Sequence, residues 1–205
     1  MTAPVQFLFD FGSPNAYLCH RVLPHIEART GIPVAYVPVL LGGLFKLSNN
    51  RSPFVSNADI PNKRAYEMLE IERFVKAHGI TAFRLNPHFP VNTLQIMRGA
   101  VAAQNLGCFE PYVNAMFAAM WEEGRNMSDS AEVLAVLADA GLDGPAIVEA
   151  GASASAKDVL KANTEEAFAR GAFGSPTFFV GDDMYFGKDR LREVEAAMLA
   201  LRGER

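Results

Sequence analysis

Cysteine is scarce in this chain. There are two in 205 residues, Cys19 and Cys108, and no Cys-x-x-Cys motif joins them. Dithiol redox chemistry therefore has no pair of residues to run on, and in a reducing compartment the two are expected to be isolated buried thiols. Histidine is also sparse, at four. His20 and His25 lie five apart on a helical stretch, which does not put them on one face, so no metal site is expected and both are read as surface or packing residues. A basic excess is missing: 19 Lys and Arg stand against 23 Asp and Glu, for a formal net charge of -4. The cations are scattered, so nucleic acid has no electrostatic footprint to bind. No apolar run is long enough to span a bilayer, and no membrane partner is expected. Met1-Thr-Ala-Pro-Val-Gln has neither a basic n-region nor a cleavable apolar core, which predicts a cytoplasmic protein. Repeats, low-complexity runs and linkers are missing too, while half of the residues are hydrophobic, enough for a sizeable core.

What is present is concentrated at the two ends. Phe7-Leu-Phe-Asp-Phe-Gly-Ser13-Pro14-Asn15-Ala16-Tyr17 begins as an apolar run suited to a buried strand and continues as a helix start. Ser13 is a preferred N-cap type, Pro14 suits the first helical position, and Gly12 permits the tight turn before them. A hydroxyl is thus placed at the positive end of a helix, where an anion is stabilised. Near the other end, Gly174-Ser175-Pro176-Thr177-Phe178-Phe179-Val180 leads into a second apolar strand, and an X–Pro bond there is a place where a cis peptide can be built in.

Between these ends the periodicity predicts strand 4–11, helix 13–29 stopped by Thr30-Gly31, and strand 32–39, together a βαβ unit. Residues 40–60 read as irregular yet apolar, a candidate site wall flanked by Lys46, Arg51 and Lys63. Helices are predicted over 63–78, from Asn92 or Thr93 to about Gly107, and over 110–123, 129–140 and 154–170, with Gly141 and Gly144 as breaks. Trp121 is placed in a turn near the mouth of a cleft or half-buried in a helix pair. Strands 176–180 and 183–186 around Gly181-Asp182, then helix 189–201, close the chain.

This order resembles the thioredoxin fold, an α/β βαβ…ββα core with a large all-helical insertion, in the branch related to bacterial disulfide oxidoreductases. The residues Asp10 to Tyr17, Leu40 to Lys46, Asn50-Arg51, Phe89 to Asn92, Gly174 to Thr177 and Phe186 to Leu191 are similar to those of the 2-hydroxychromene-2-carboxylate isomerase family and its kappa-class glutathione transferase relatives. The resemblance implies a thioredoxin-like domain of residues 1–60 and 172–205, a helical insertion domain of residues 61–171, and a homodimer.

It also implies a chemistry. A disulfide oxidoreductase of this fold needs a thiolate where this chain has Ser13, and serine forms no disulfide. A hydroxyl there can instead donate to the thiolate of a bound thiol, which makes glutathione the implied cofactor. One hydrogen bond to a charged group contributes about 1.5–3 kcal/mol, enough to lower a thiol pKa by roughly one to two units. Ser13 is then the catalytic residue. Asn50, Lys63, Ser175 and Asp189 are the implied glutathione contacts, adjoined by Phe186, Gly187 and Lys188, and Asn49 competes with Asn50 for the one amide required. Lys46 and Arg51 are candidates for the carboxylate of an aromatic substrate, and His88 or Phe89 for its ring. In the family, thiolate addition to 2-hydroxychromene-2-carboxylate makes a double bond rotatable and elimination gives trans-o-hydroxybenzylidenepyruvate. A kappa-like transferase or peroxidase would share Ser13 without needing the carboxylate site, and a non-catalytic binding module would use Ser13 only as a cap.

Overall fold

The computed structural model describes residues 5–203; the predicted strand residue at position 4 lies outside the described residues. Four strands form one mixed sheet, β1 (Val5–Phe9), β2 (Ala35–Pro38), β3 (Thr177–Val180) and β4 (Asp183–Phe186), in the order β2-β1-β3-β4. β1 runs parallel to β2 and antiparallel to β3, and β3 runs antiparallel to β4. With α1 (Pro14–Thr30) between β1 and β2 and α10 (Leu191–Gly203) after β4, this is the thioredoxin-like core.

Alternation along β1 sets up both layers. Val5, Phe7 and Phe9 face the main core, while Leu8 faces a smaller cluster with Val39, Leu44, Ala167, Ala172 and Phe179. Phe7 pairs with Phe178 on one side and Tyr36 on the other. Its ring stacks on Phe178 at 5.0 Å and meets Tyr36 edge-on at 4.9 Å. Such cross-strand aromatic pairs each contribute about 0.5–1 kcal/mol beyond burial, so the register of β2, β1 and β3 is fixed by their own side chains.

Between β2 and β3 run α2 (Leu41–Leu47), a single turn α3 (Pro53–Ser56), α4 (Pro61–His78), α5 (Leu94–Asn105), α6 (Phe109–Trp121), α7 (Ser130–Asp139), α8 (Gly144–Ala152) and α9 (Ala154–Ala169). α5 is the hub, packing against α6, α8 and α9. A Cβ on Gly151 of α8 would lie 3.2 Å from the backbone nitrogen of Gly99 in α5, so glycine lets the two backbones touch. None of the described helices is long and apolar enough to cross a membrane.

The structure corrects several boundaries. β2 starts at Ala35 rather than residue 32, because Pro33 has no N–H to give the ladder and Val34 N donates to Glu27 Oε1 instead. β1 stops at Phe9, since Asp10 N donates to Ser175 Oγ and Phe11 N faces Met97 Sδ. The 40–60 stretch holds α2 and α3 rather than irregular chain only. Gly144 opens a helix instead of breaking one, because Asp143 caps it by accepting from Ala146 N at 3.1 Å. Trp121 is neither at a cleft mouth nor half-buried. It is fully buried, and Nε1 donates to Phe11 O at 2.7 Å. His20 packs as expected, stacked on Phe117 at 4.9 Å with Nδ1 3.0 Å from Tyr36 Oη.

Candidate active site

β1 delivers the chain to the turn at Gly12, and Ser13 caps α1 there. Its φ and ψ of -97° and 114° are extended, and Oγ accepts from Ala16 N at 3.2 Å, the geometry an N-cap requires. The same hydroxyl donates to Ser175 O at 2.9 Å. Ser175 lies across from it at the entry to β3, and the Ser175–Pro176 bond that follows is cis. The side chain of Ser175 points back into the core, where Oγ donates to Leu8 O and accepts from Asp10 N. Ser13 is 4% exposed and Ser175 8%, so the pair sits at the floor of the site.

Asn50 approaches from the loop after α2 and donates through Nδ2 to Phe173 O at 3.1 Å, beside the Gly174-Ser175 segment. Asn49 instead takes a left-handed φ of 52° that shapes the turn, a conformation asparagine tolerates better than most residues. Of the two amides, Asn50 is the one directed at the Ser175 segment. The Phe186 ring lies tilted against that of Phe173, centroids 4.4 Å apart, and Gly187 N donates to Pro176 O at 3.0 Å. Ser13, Asn50, Ser175, Phe186 and Gly187 are therefore gathered around the cis peptide.

Other predicted residues stand further out or turn inward. Lys46, in the last turn of α2, and Arg51 after it are exposed. Lys63 is exposed near the start of α4, beside an open depression of about 440 Å³ lined also by Asn57, Ile60, Tyr66 and Glu67. His88 is exposed, whereas Phe89 is half-buried between Phe54, at 5.3 Å, and Trp121, at 5.8 Å. Lys188 is buried: Nζ pairs with Asp189 Oδ1 at 2.6 Å and lies 5.3 Å from the Phe74 ring centre. Asp189 keeps its side chain 68% exposed at the rim.

The thiols take no part. Cys19 is buried in α1, where burial pushes its thiol well above the ordinary range while the Lys188 charge opposes this, and both cysteines are free. Sequence reasoning passed over two further residues, Asp10 and Thr93. Asp10 is fully buried, with burial pushing its carboxyl up against hydrogen bonds from Leu41 N, Gly12 N and the Thr93 side chain. A lone carboxylate inside an apolar strand run was the available signal.

Fold and site together define a thioredoxin-fold protein in which a capping hydroxyl faces a cis-proline loop where redox members carry a thiol. The chain matches the model of the DSBA-like thioredoxin domain over residues 4–199. It is 31% identical to a 2-hydroxychromene-2-carboxylate isomerase of Pseudomonas putida, over 95% of this chain and 93% of that one. A solved structure of a 2-hydroxychromene-2-carboxylate isomerase superposes with a TM-score of 0.81 at 30% identity, covering 98% of this chain and 96% of the other. The human glutathione S-transferase kappa 1 is 24% identical, over 91% of this chain and 87% of that protein. The chain belongs to the DSBA-like thioredoxin family and, within it, to the 2-hydroxychromene-2-carboxylate isomerase group.

Proposed function

We propose that the protein is a glutathione-dependent isomerase of 2-hydroxychromene-2-carboxylate or a related aromatic carboxylate formed during aromatic catabolism. The observation that carries this reading is the Ser13 hydroxyl, held at a helix N-terminus and donating to Ser175 O beside a cis proline. Were a thiol cofactor held at the α1 terminus, Ser13 would be the hydroxyl able to donate to its sulfur in place of Ser175 O, and Ser175 would offer that freed carbonyl to the cofactor. A neutral hydrogen bond is exchanged for one to a charged acceptor, which is stronger, and the α1 terminus adds its partial positive charge. Both effects would favour the thiolate form of such a cofactor, and that thiolate is the nucleophile it would supply. The chemistry the cofactor would supply is reversible thiolate addition to the conjugated double bond of the substrate, which would make that bond rotatable until the same thiolate leaves.

Asn50, Lys63, Ser175, Phe186, Gly187, Lys188 and Asp189 would hold the cofactor, Lys188 through its pairing with Asp189. Lys46 and Arg51 would meet the substrate carboxylate, and Phe89, with His88 at its edge, the ring. In this reading residues 61–171 form one wall of the cleft, residues 1–60 and 172–205 the other, and the protein works as a cytoplasmic homodimer. A kappa-like transferase or peroxidase remains the second reading, favoured by the similarity to the human kappa protein. The test is the absorbance change of 2-hydroxychromene-2-carboxylate with purified protein, with and without glutathione. Turnover only with glutathione supports the isomerase. Absence of turnover alongside glutathione conjugation of another electrophile would replace it with the transferase.

A further inference from the structure

Asp10 has no part in the chemistry above, yet it is the most heavily engaged polar side chain near Ser13. It follows β1 directly, three residues before Ser13, and has no exposed surface. Its carboxylate faces donors only: Gly12 N reaches Oδ1 at 2.8 Å, Leu41 N reaches Oδ2 at 2.8 Å, and the Thr93 hydroxyl adds a third bond. No cation pairs with it among the described residues. Burying a carboxyl without a counter-ion is costly, and the strand itself does not require one.

The three donors belong to three segments that each carry part of the site. Gly12 lies in the turn that presents Ser13. Leu41 opens α2, which leads to Lys46 and Asn50. Thr93 starts α5 just beyond Phe89, close enough that a Cβ on Gly12 would meet its methyl group at 3.1 Å. A fourth segment is reached from the backbone, since Asp10 N donates to Ser175 Oγ at 3.2 Å. One residue thus ties the Ser13 turn, the α2 loop, the α5 start and the cis-proline loop together.

We propose that Asp10 is a positioning residue, which fixes the Ser13 side chain relative to the α1 terminus and the Ser175 carbonyl so that whatever occupies position 13 points at a ligand sulfur. It acts through Ser13 and touches no ligand. The proposal rests on the reading of Ser13 as the thiol-facing group, but its test does not need glutathione.

The probe is a thiol introduced by Ser13→Cys in a Cys108→Ser background, with Cys19 left buried. Its pKa is read from thiolate absorbance near 240 nm or from the pH dependence of iodoacetamide labelling. A thiol well placed at a helix N-terminus titrates below the ordinary value of about 8.5. Adding Asp10→Asn is expected to raise that pKa by about one unit or more, with far-UV circular dichroism unchanged. Adding Thr93→Val should raise it less, and Thr93→Ser, which keeps the hydroxyl, should restore it. An unchanged pKa after Asp10→Asn would mean that Asp10 only fills the core. A lower one would mean that it acts as a nearby charge and not as a positioning residue, and either result overturns the proposal. Should Asp10→Asn fail to fold, equal pKa values in the Thr93→Val and Thr93→Ser proteins would overturn it alone. Failure of the wild-type protein to turn over substrate with glutathione would instead count against the proposed function and leave the titration to judge Asp10.

Discussion

Replacing Ser13 by alanine removes two hydrogen bonds at once, and the structure gives each a magnitude. Loss of the cap bond to Ala16 N costs about 1 kcal/mol. Loss of the bond to Ser175 O leaves that carbonyl without its hydroxyl donor at a position 8% exposed, where little water can replace it. That adds about 1–2 kcal/mol, so Ser13→Ala should destabilise the fold by about 2–3 kcal/mol. At roughly 2–4 °C per kcal/mol for a chain of this size, Tm should fall by about 5–10 °C. Urea unfolding should show a lower midpoint with an unchanged slope, because the surface exposed on unfolding is the same. Turnover with glutathione should fall further than stability explains, since about 1.5–3 kcal/mol of thiolate stabilisation is lost as well, roughly 10- to 150-fold in rate. Both parts of the reasoning are exposed to refutation. A stability loss under about 0.5 kcal/mol would mean that the Ser13–Ser175 bond does not form. A full loss of stability with turnover per folded molecule unchanged would reduce Ser13 to a structural cap.

Three further outcomes are expected. Gly99→Ala should destabilise by about 1–3 kcal/mol, although alanine normally strengthens a helix, because the new methyl would lie within 3 Å of the hydroxyl and ring of buried Tyr112; combination with Tyr112→Phe should recover part of the lost Tm, and no loss from Gly99→Ala would sink the argument. Burial, aided by Arg21, holds His20 at about 4 against an ordinary 6.5, so the unfolded chain takes up a proton that the folded one does not as pH falls through that window. Stability is fully present above 6.5 and is lost progressively toward pH 4, by up to about 3 kcal/mol from this residue; urea titrations at pH 7 and 4.5 should show a shallower dependence in His20→Gln, and identical slopes would refute the assignment. Asn50→Ala should weaken glutathione binding several-fold by calorimetry while Asn49→Gly leaves it unchanged, and the reverse would reassign the amide.

The core was legible in the sequence because its signals are local. Phe7, Leu8 and Phe9 alternate between two buried layers, and Ser13-Pro14 and Gly31 punctuate a single helix. Each feature depends on neighbours within one turn or two strand positions. Ser13 and Ser175 could be named for the same reason, since each stands beside a proline whose backbone consequences are short-range. The misplaced features are those decided at long range or by competition between weak signals. Gly144 looked like a break until the Asp143 cap outweighed it. Trp121 looked peripheral because no sequence pattern encodes its bond to a carbonyl 110 positions earlier.

Asp10 shows that limit most clearly. Within the apolar run of residues 7–11 it contradicts the pattern, and locally it resembles an Asx turn closing on Gly12. Its other partners, at Leu41 and Thr93, are separated from it by α1 and β2 and, for Thr93, by the α2–α4 segment as well, so its surroundings exist only once the fold is complete. A charged residue that is costly in the core and engaged solely by backbone and hydroxyl donors is a poor contributor to stability. Its four attachments nevertheless converge on the segments around Ser13. The scaffold that in redox relatives holds a reactive thiol is here arranged around a hydroxyl that cannot react itself. Such a group works only if it is aimed, and placement of the hydroxyl, more than its identity, is what this site has to secure.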